Sequence, residues 1–404
     1  MTNPVSSAHS QRQRLVSDML GYPLQHIEID GFRGFREFRL PALGRVNVLV
    51  GGNNSGKTSL LEAISVLCAP AEPSGMMDMI RFRDPGSIDE SRLHSLRWCF
   101  HRAGPIDDPE ELISAYCEMR VGSGFGLERL RITLKEFIGE PAPEEMERAR
   151  RLGRRLDAGK VDFEWRGSDI GFEPTFSASV QPAQGTLFPS AFGLRIWDGL
   201  PITRFAGSKK SSWPHSKCAI VYPYSYQMNP VQVQSLSRLQ ADQEGLQASE
   251  LLQQFDADVL DVDIRSSQGY RPSIYLKHRR LGLVPLSVFG DAMRRSVLLA
   301  STLSSLPPGS VLLVDEAEAG IHVEAQQKFF AWLMKAAGQR QVQVFMTTHS
   351  LEALDAMLMG LPTASDESDL VVYQLKRDGA DVHCKRFAGD LLHRLRFERG
   401  LDVR

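Results

Sequence analysis

The stretch Gly51-Gly52-Asn53-Asn54-Ser55-Gly56-Lys57-Thr58 decides the fold. The segment Arg45-Val46-Asn47-Val48-Leu49-Val50 predicts a β-strand that ends where these glycines begin, and apolar residues at helical spacing predict a helix over residues 59–67. A glycine-rich loop between a strand and a helix is the context of a phosphate-binding loop. The glycines let backbone N–H groups approach phosphate oxygens, and the helix directs its positive end toward them.

We therefore expect this loop to bind the phosphates of ATP. The Lys57 ammonium would reach the β and γ phosphate oxygens, and the Thr58 hydroxyl would ligate Mg²⁺. The alternative is a glycine turn without a ligand, but average composition yields such a match in only about one chain of this length in a hundred. The expected nucleotide-binding residues of the loop are Asn53, Asn54, Ser55, Gly56, Lys57, Thr58 and Ser59.

A second motif begins with the apolar run at residues 311–314, which predicts a buried strand that delivers Asp315 and Glu316 at its carboxyl end. Ligands bind at the carboxyl ends of strands in open α/β sheets. Asp315 would hold Mg²⁺, directly or through water, and Glu316 would act as the general base on the attacking water. Apolar residues before an acid pair are a weak signal alone, and the phosphate loop makes this one strong.

Two further motifs flank the acid pair. The strand predicted at 342–346 ends in Thr347-Thr348-His349-Ser350, where His349 would hydrogen-bond the γ-phosphate or the attacking water. The alternative is an ordinary core or surface histidine. Upstream, Ser287 and Gly290 open a predicted helix. They either cap that helix or offer a phosphate cradle to the ATP of a second subunit.

The pattern as a whole predicts an α/β fold. From residue 285, helices at 290–305 and 322–337 alternate with apolar strands at 311–314 and 342–346, which indicates a mostly parallel central sheet with both faces covered. The other expected elements are strands and a turn (residues 31–36) at 24–50, a helix and strands at 90–137, an irregular β region at 161–225, and a helix with a strand pair at 245–280. The expected organisation is a flexible tail (1–23) and a single head (24–404) with an N-terminal lobe (24–225), a helical and β insert (226–284) and a C-terminal lobe (285–404).

Composition and charge point to a cytoplasmic protein. Of its 404 residues, 42% are hydrophobic and 24% are charged, which is ordinary for a globular chain with a sizeable core. The five cysteines form no C-x-x-C pair and suit free thiols in a reducing compartment, and no apolar run is long enough to span a membrane. A net charge of −2 gives no overall attraction to nucleic acid, although a local basic patch would still allow binding.

Two charged segments have a functional and a plain interpretation. The helix predicted at 140–160 would either contact phosphates or form a solvated face balanced by neighbouring glutamates, which we favour. Its arginines are Arg148, Arg150, Arg151, Arg154 and Arg155. Asp261 and Asp263 alternate along a predicted strand, and we interpret them as a strand edge rather than as metal ligands.

Taken in order, the four motifs resemble those of the ATPase heads of the ABC superfamily, and within it the OLD (overcoming lysogenization defect) branch of RecF- and SMC-like proteins. The resemblance covers roughly residues 24–404 and is weakest over 140–225. It rests on Phe32-Arg33-x-Phe35, the run from Asn47 to Ala63, the run from Asp315 to His322, Thr347 to Ser350, and Gly400 to Arg404. It implies two heads that enclose two ATP molecules, each held by the loop of one subunit and the Ser-Gly signature of the other.

This sequence departs from the family pattern at the signature. Two residues separate Ser287 from Gly290, one more than in transporters, and Ala292 replaces the second glycine that is usual in this branch. Gln227 and Gln232 are candidates for the glutamine loop of the superfamily by residue type only. Full OLD proteins carry a C-terminal Toprim nuclease domain, for which the stretch after Ser350 is too short, so we expect no DNA cleavage.

The resemblance leads to three hypotheses about function. The first is an ATP-dependent switch that forms a homo-dimer or higher oligomer and controls a separate nuclease or toxin, as the ATPase subunits of the PARIS and Septu anti-phage systems do. The second is a RecF-like DNA-repair ATPase, which the near-neutral charge disfavours. The third is a nucleotide-bound scaffold with negligible turnover, which the presence of Glu316 disfavours. None of the three involves a membrane.

Overall fold

The computed structural model describes residues 22–72, 76, 79, 92–101, 112–147, 151, 170–181, 191–197, 200, 203–206, 213–228, 248–265, 273–361 and 370–404. Nearly all of the tail predicted at 1–23 lies outside these residues. So do several residues singled out above, namely Arg148, Arg150, Arg154, Arg155 and Gln232. Arg151 pairs with Glu147, at 3.1 Å between Nε and Oε1.

The strands of the described part are β1 (Leu24–Asp30), β2 (Phe38–Leu40), β3 (Val46–Val50), β4 (Ser114–Ser123), β5 (Leu127–Ile138), β6 (Ile170–Val180), β7 (Ala191–Arg195), β8 (Thr203–Ala206), β9 (Cys218–Val221), β10 (Val259–Arg265), β11 (Ser273–His278), β12 (Gly282–Pro285), β13 (Val311–Val314), β14 (Gln343–Thr347), β15 (Leu370–Asp378) and β16 (Asp381–Ala388). The α-helices are α1 (Lys57–Cys68), α2 (Ser225–Met228), α3 (Ala248–Gln253), α4 (Asp291–Ser305), α5 (Val323–Gln339), α6 (Leu351–Met359) and α7 (Gly389–His393).

The central sheet has six strands in the order β16-β15-β3-β14-β13-β9. All its neighbouring strands run parallel except β15 and β16, which form an antiparallel pair. Every residue of β3, β13 and β14 is buried, which is typical of parallel strands covered on both faces. The predicted α/β fold with a mostly parallel central sheet is therefore confirmed.

Separate hydrophobic cores cover the two faces of this sheet, because successive strand residues point to opposite sides. Leu313 and Phe345 belong to a core that also contains α1 and the antiparallel strands. Leu312 and Val344 belong to a second core, formed with α4, α5 and α6. The helix that follows the glycine loop is thereby packed between two sheets, which holds the start of that helix in place.

The N-terminal antiparallel region is a seven-stranded sheet in the order β2-β1-β4-β5-β6-β7-β8. The turn predicted at residues 31–36 joins β1 to β2 and is confirmed by a 2.9 Å hydrogen bond from the Gly31 N–H to the Phe35 carbonyl. In the same turn, Arg33 Nε lies 2.8 Å from Glu62 Oε2 on α1. This buried ion pair ties the turn to the helix that carries the loop.

Strands β10, β11 and β12 form a three-stranded antiparallel sheet in that order. Asp261 and Asp263 lie on its edge strand β10, as predicted, and pair with the cations of Lys277 at 3.1 Å and Arg265 at 2.9 Å. In the described part of the chain, no helix is long and apolar enough to cross a membrane.

The helix expected near residue 90 takes a different form, since Arg92–Cys99 is a 3₁₀-helix. Its buried residues Leu96 and Cys99 are three apart, and Trp98 between them is exposed. A period of three places such residues on one side of a 3₁₀-helix, where residues i and i+3 eclipse.

Candidate functional site

The glycine loop leads from the carboxyl end of β3 into α1, and its backbone can be built only with glycine at two positions. Gly51 and Gly56 have φ values of +148° and +97°. A Cβ atom at Gly51 would lie 2.3 Å from the Leu375 carbonyl oxygen, and one at Gly56 would lie 2.9 Å from Phe35 Cζ. Gly56 offers α1 no capping side chain. The first N–H groups of the helix therefore suit an anionic ligand.

Lys57 lies folded against this loop. Its side chain is buried, and its Nζ donates to the carbonyl oxygens of Gly51 at 2.8 Å and Gly52 at 2.9 Å. Burial lowers the pKa of the Lys57 ammonium, while the nearby carboxylates of the acid pair and of Glu318 act in the opposite direction. Lys57 Nζ also lies 3.4 Å from the Ser55 hydroxyl, so the hydrogen bonds of this buried cation go to neutral oxygens of the loop, and it is a suitable partner for a phosphate group.

Thr58, Asp315 and Thr347 form a hydrogen-bonded cluster where β3, β13 and β14 end. The Thr58 hydroxyl lies 3.1 and 3.0 Å from the two carboxylate oxygens of Asp315, and the Thr347 hydroxyl donates to Asp315 Oδ1 at 2.6 Å. The cluster forms because β14 lies between β3 and β13 in the sheet. Hydroxyl and carboxylate oxygens are ligands that Mg²⁺ prefers, so the donor set fits the metal that was predicted for Thr58 and Asp315.

Glu316 follows Asp315 in a strained turn. It has a φ of +47°, in the left-handed region that non-glycine residues seldom adopt. Its N–H donates to the Thr347 hydroxyl at 2.8 Å, and its carbonyl accepts from Arg295 Nη2 at 2.7 Å. The Glu316 side chain is exposed, whereas Asp315 is buried. The turn thus separates two adjacent carboxylates, one held inside the cluster and one free to meet water.

His349 and the loop enclose one cleft of about 290 Å³. The cleft is lined by Asn53, Asn54, Ser55, Gly56, Lys57, Thr58, Ser59 and His349. The backbone N–H of His349 donates to Glu318 Oε1 at 3.0 Å, so the turn after β13 also positions the start of the segment after β14. The structure therefore brings the predicted loop residues and the predicted histidine together.

Ser287 and Gly290 do not line this cleft. Ser287 is exposed on a short 3₁₀ turn, Leu286–Val288, and its hydroxyl does not cap α4. Gly290 is the N-cap residue of α4, and a Cβ atom there would meet open space. Gln227, one of the two glutamine candidates, is exposed and donates to the Tyr226 hydroxyl at 2.9 Å.

Three residues in the site were not predicted from the sequence, although Thr347 and Glu318 stand inside quoted motifs and Arg295 lies in the helix predicted at 290–305. Thr347 bridges Asp315 and Glu316, and Glu318 holds the N–H of His349. Arg295 is fully buried and donates to carbonyl oxygens of the acid-pair turn. A cation within the apolar pattern of helix 290–305 was the available signal for Arg295. Thr347 and Glu318 carried no such signal in the sequence, because their hydrogen-bond partners are distant in the chain.

The features on these strand ends define a class of protein. A glycine loop at the end of a central parallel strand leads into a buried helix, and the lysine at the start of that helix lies folded on the loop. The threonine after it contacts an aspartate that follows a nearby strand, and a glutamate follows that aspartate. This is the arrangement of a P-loop nucleoside triphosphatase.

The chain is similar in sequence to two known protein families and to several known proteins. The family described as "AAA ATPase domain" matches residues 23–181, and the family described as "AAA domain, putative AbiEii toxin, Type IV TA system" matches residues 219–355. "Uncharacterized protein MJECL11" of Methanocaldococcus jannaschii is 31% identical over 110 residues, which are 27% of this chain and 95% of that protein. "ATP/GTP phosphatase" of Helicobacter pylori is 20% identical over 386 residues, which are 91% of this chain and 96% of that protein.

Solved structures with a similar chain course include an SMC head bound to the C-winged helix domain of ScpA, with a TM-score of 0.48 at 12% identity, covering 94% of this chain and 100% of that one. The SMC head domain from Thermotoga maritima has a TM-score of 0.42 at 12% identity, and the match covers 90% of this chain and 99% of that domain. The chain belongs to the AAA-type ATPases, whose domains match residues 23–181 and 219–355. It is an ATPase, as the two family matches and the phosphatase relative indicate.

Proposed function

We propose that this ATPase is a molecular switch, in which two copies of the chain close on ATP and the closed state controls a separate effector protein. Each ATP would lie between the glycine loop of one copy and the signature residues Ser287 and Gly290 of the other. Hydrolysis would remove the γ-phosphate that holds the copies together and so reopen the pair.

The residues of the cleft have distinct parts in the proposed reaction. Lys57 and the N–H groups of the loop would neutralise the phosphates. Thr58 and Asp315 would hold Mg²⁺, which supplies positive charge against the phosphate oxygens. Glu316 would take a proton from the attacking water, because its exposed carboxylate stands beside the buried Asp315. His349 would hydrogen-bond the γ-phosphate or the water from the cleft wall.

The observation that carries the proposal is the position of the signature residues. Within the described chain, the cleft is lined by the loop and His349 and receives no group from α4. At the start of α4, Ser287 and Gly290 are exposed, and Val288 has 71% of its surface accessible to solvent. An uncapped helix start with an exposed serine and an exposed valine suits contact with the nucleotide and surface of a second copy.

The kind of effector is proposed from resemblance. The ATPase subunits of PARIS and Septu act with a second protein that carries the nuclease or toxin. One family description that matches this chain names a type IV toxin–antitoxin system, which also pairs two components. We therefore propose a separate nuclease or toxin as the partner and bacterial anti-phage defence as the setting.

Light scattering with and without a non-hydrolysable ATP analogue tests the shared site. Ser287→Arg should leave analogue binding close to wild type, yet abolish both the ATP-dependent rise in mass and hydrolysis, because the new side chain blocks the approach of the second copy. Ser273→Arg is the matched control, since Ser273 is an exposed serine at the start of β11 and should tolerate the change. Normal hydrolysis by a monomeric Ser287→Arg variant would refute the shared site.

A further inference from the structure

Arg295, in the second turn of α4, donates hydrogen bonds to the backbone of the turn that carries Asp315 and Glu316. Arg295 is 0% exposed. Its Nη2 donates to the carbonyl oxygens of Asp315 at 2.9 Å and Glu316 at 2.7 Å, and its Nη1 donates to that of Pro223 at 3.1 Å. A buried guanidinium is costly unless its donors are satisfied, and its Nε has no hydrogen-bond partner among the described residues. The bonds from Nη1 and Nη2 to these three carbonyl groups therefore offset the cost of burying the charge.

These bonds act on the residue that is proposed to be the general base. Glu316 has a left-handed backbone, which is unfavourable for an L-residue and persists only where neighbours enforce it. Its N–H is held by Thr347 and its carbonyl by Arg295. With both peptide groups of Glu316 held, the direction of its Cα–Cβ bond depends on the positions of Thr347 and Arg295.

The same helix presents the signature residues to the outside. Gly290 occupies the N-cap position of α4, and Arg295 lies in the second turn, about 7.5 Å further along the axis at 1.5 Å per residue. The neighbouring Arg294 places its Cζ 4.8 Å from the centre of the Tyr226 ring. The start of α4 is therefore joined both to the turn after β13 and to the segment after β9. A helix moves as a rigid body over this length, so a displacement at Gly290 is carried to Arg295.

We propose that Arg295 is a positioning residue that couples the start of α4 to Glu316. Contact of Ser287 and Gly290 with the nucleotide of a second copy would shift α4, and Arg295 would pass this shift to the two carbonyl oxygens that set the direction of Glu316. Hydrolysis would then be switched on by assembly. The inference rests on the proposed function for its first step, and it adds a route by which contact at the surface reaches the chemistry.

A double-mutant cycle separates this role from a merely structural one. Arg295→Lys keeps the charge but cannot hold three carbonyl groups with a planar fork. We expect it to lower kcat by about tenfold or more, with KM and analogue affinity within about twofold of wild type. In a Glu316→Gln background the same change should have no further effect on kcat, since its effect passes through Glu316. Arg340→Lys is the control, because Arg340 donates to the Ser304 carbonyl at the other end of α4, at 2.8 Å.

The outcomes are distinct. Equal losses of kcat in both backgrounds, or wild-type kcat in Arg295→Lys, would overturn the coupling and leave Glu316 as the base. Wild-type turnover in Glu316→Gln alone would instead refute the role of Glu316 in the proposed function, and the coupling with it.

A second measurement needs no substitution at Arg295. Hydrogen exchange of the wild-type chain should show joint protection of residues 291–295 and 315–317 when the ATP analogue is added, and Ser287→Arg should lose both effects together. Protection at 315–317 that persists in Ser287→Arg would overturn the proposal.

Discussion

Replacing Thr347 by valine tests whether one hydroxyl stabilises the turn that carries Asp315 and Glu316. Valine has nearly the same shape, so the change removes the hydroxyl without opening a cavity. The hydroxyl is completely buried, donates to Asp315 Oδ1 at 2.6 Å and accepts from the Glu316 N–H at 2.8 Å. Loss of it leaves a carboxylate oxygen and a backbone N–H without this shared partner.

The expected loss of stability follows from these two bonds. A hydrogen bond to a charged group contributes about 1.5–3 kcal/mol, and a buried donor left without an acceptor costs about 1–3 kcal/mol. Asp315 keeps the Thr58 hydroxyl, which limits the first effect. We therefore expect Thr347→Val to lower the free energy of unfolding by about 2–4 kcal/mol. ATP hydrolysis should also slow, because the Glu316 backbone loses one of the two hydrogen bonds that hold it.

Urea unfolding followed by tryptophan fluorescence, together with steady-state ATP hydrolysis, measures both effects. Thr347→Ser should restore stability and turnover toward wild type, since it returns the hydroxyl. Thr348→Val is the matched control, because the buried Thr348 hydroxyl accepts from the Ser350 N–H at 3.0 Å and contacts neither acid. It should cost about 0.5–1.5 kcal/mol and leave kcat near wild type. The reasoning fails if Thr347→Val is as stable and as active as Thr348→Val.

Other substitutions test the individual parts of the site. Lys57→Ala should abolish tight binding of an ATP analogue in isothermal titration, because it removes the buried cation of the loop, and unchanged affinity would make the loop a structural turn. Glu316→Gln should keep analogue binding and slow turnover by a factor on the order of 10² or more, and a wild-type rate would exclude Glu316 as the base. The purified chain should leave plasmid DNA intact in the presence of Mg²⁺ or Mn²⁺, and metal-dependent cleavage lost on mutating Asp261 and Asp263 would contradict this.

Local patterns were sufficient for the elements around the nucleotide loop. The helix predicted at 290–305 is observed as Asp291–Ser305, and the strand predicted at 311–314 is observed at those residues. The strand predicted at 342–346 is shifted by one, to Gln343–Thr347. The two strands are short apolar runs, and the helix has apolar residues at helical spacing. Hydrophobic periodicity and the glycine, proline or charged residues at the segment ends are therefore sufficient to identify them.

The sequence by itself determined the loop that receives phosphate, the two acidic residues after an apolar strand, and the parallel class of the sheet. Each of these depends on residues adjacent in the chain or on a period of a few residues, which a single sequence contains. Only the tertiary structure decided which groups hold the acid pair and His349, because Thr347, Arg295 and Glu318 act through hydrogen bonds to residues 20 to 32 positions away. Folding also decided that the cleft is lined by the loop and His349, while the start of α4 does not line it. Such pairings depend on strand order and helix packing, and these arise from the burial of two cores rather than from any local signal.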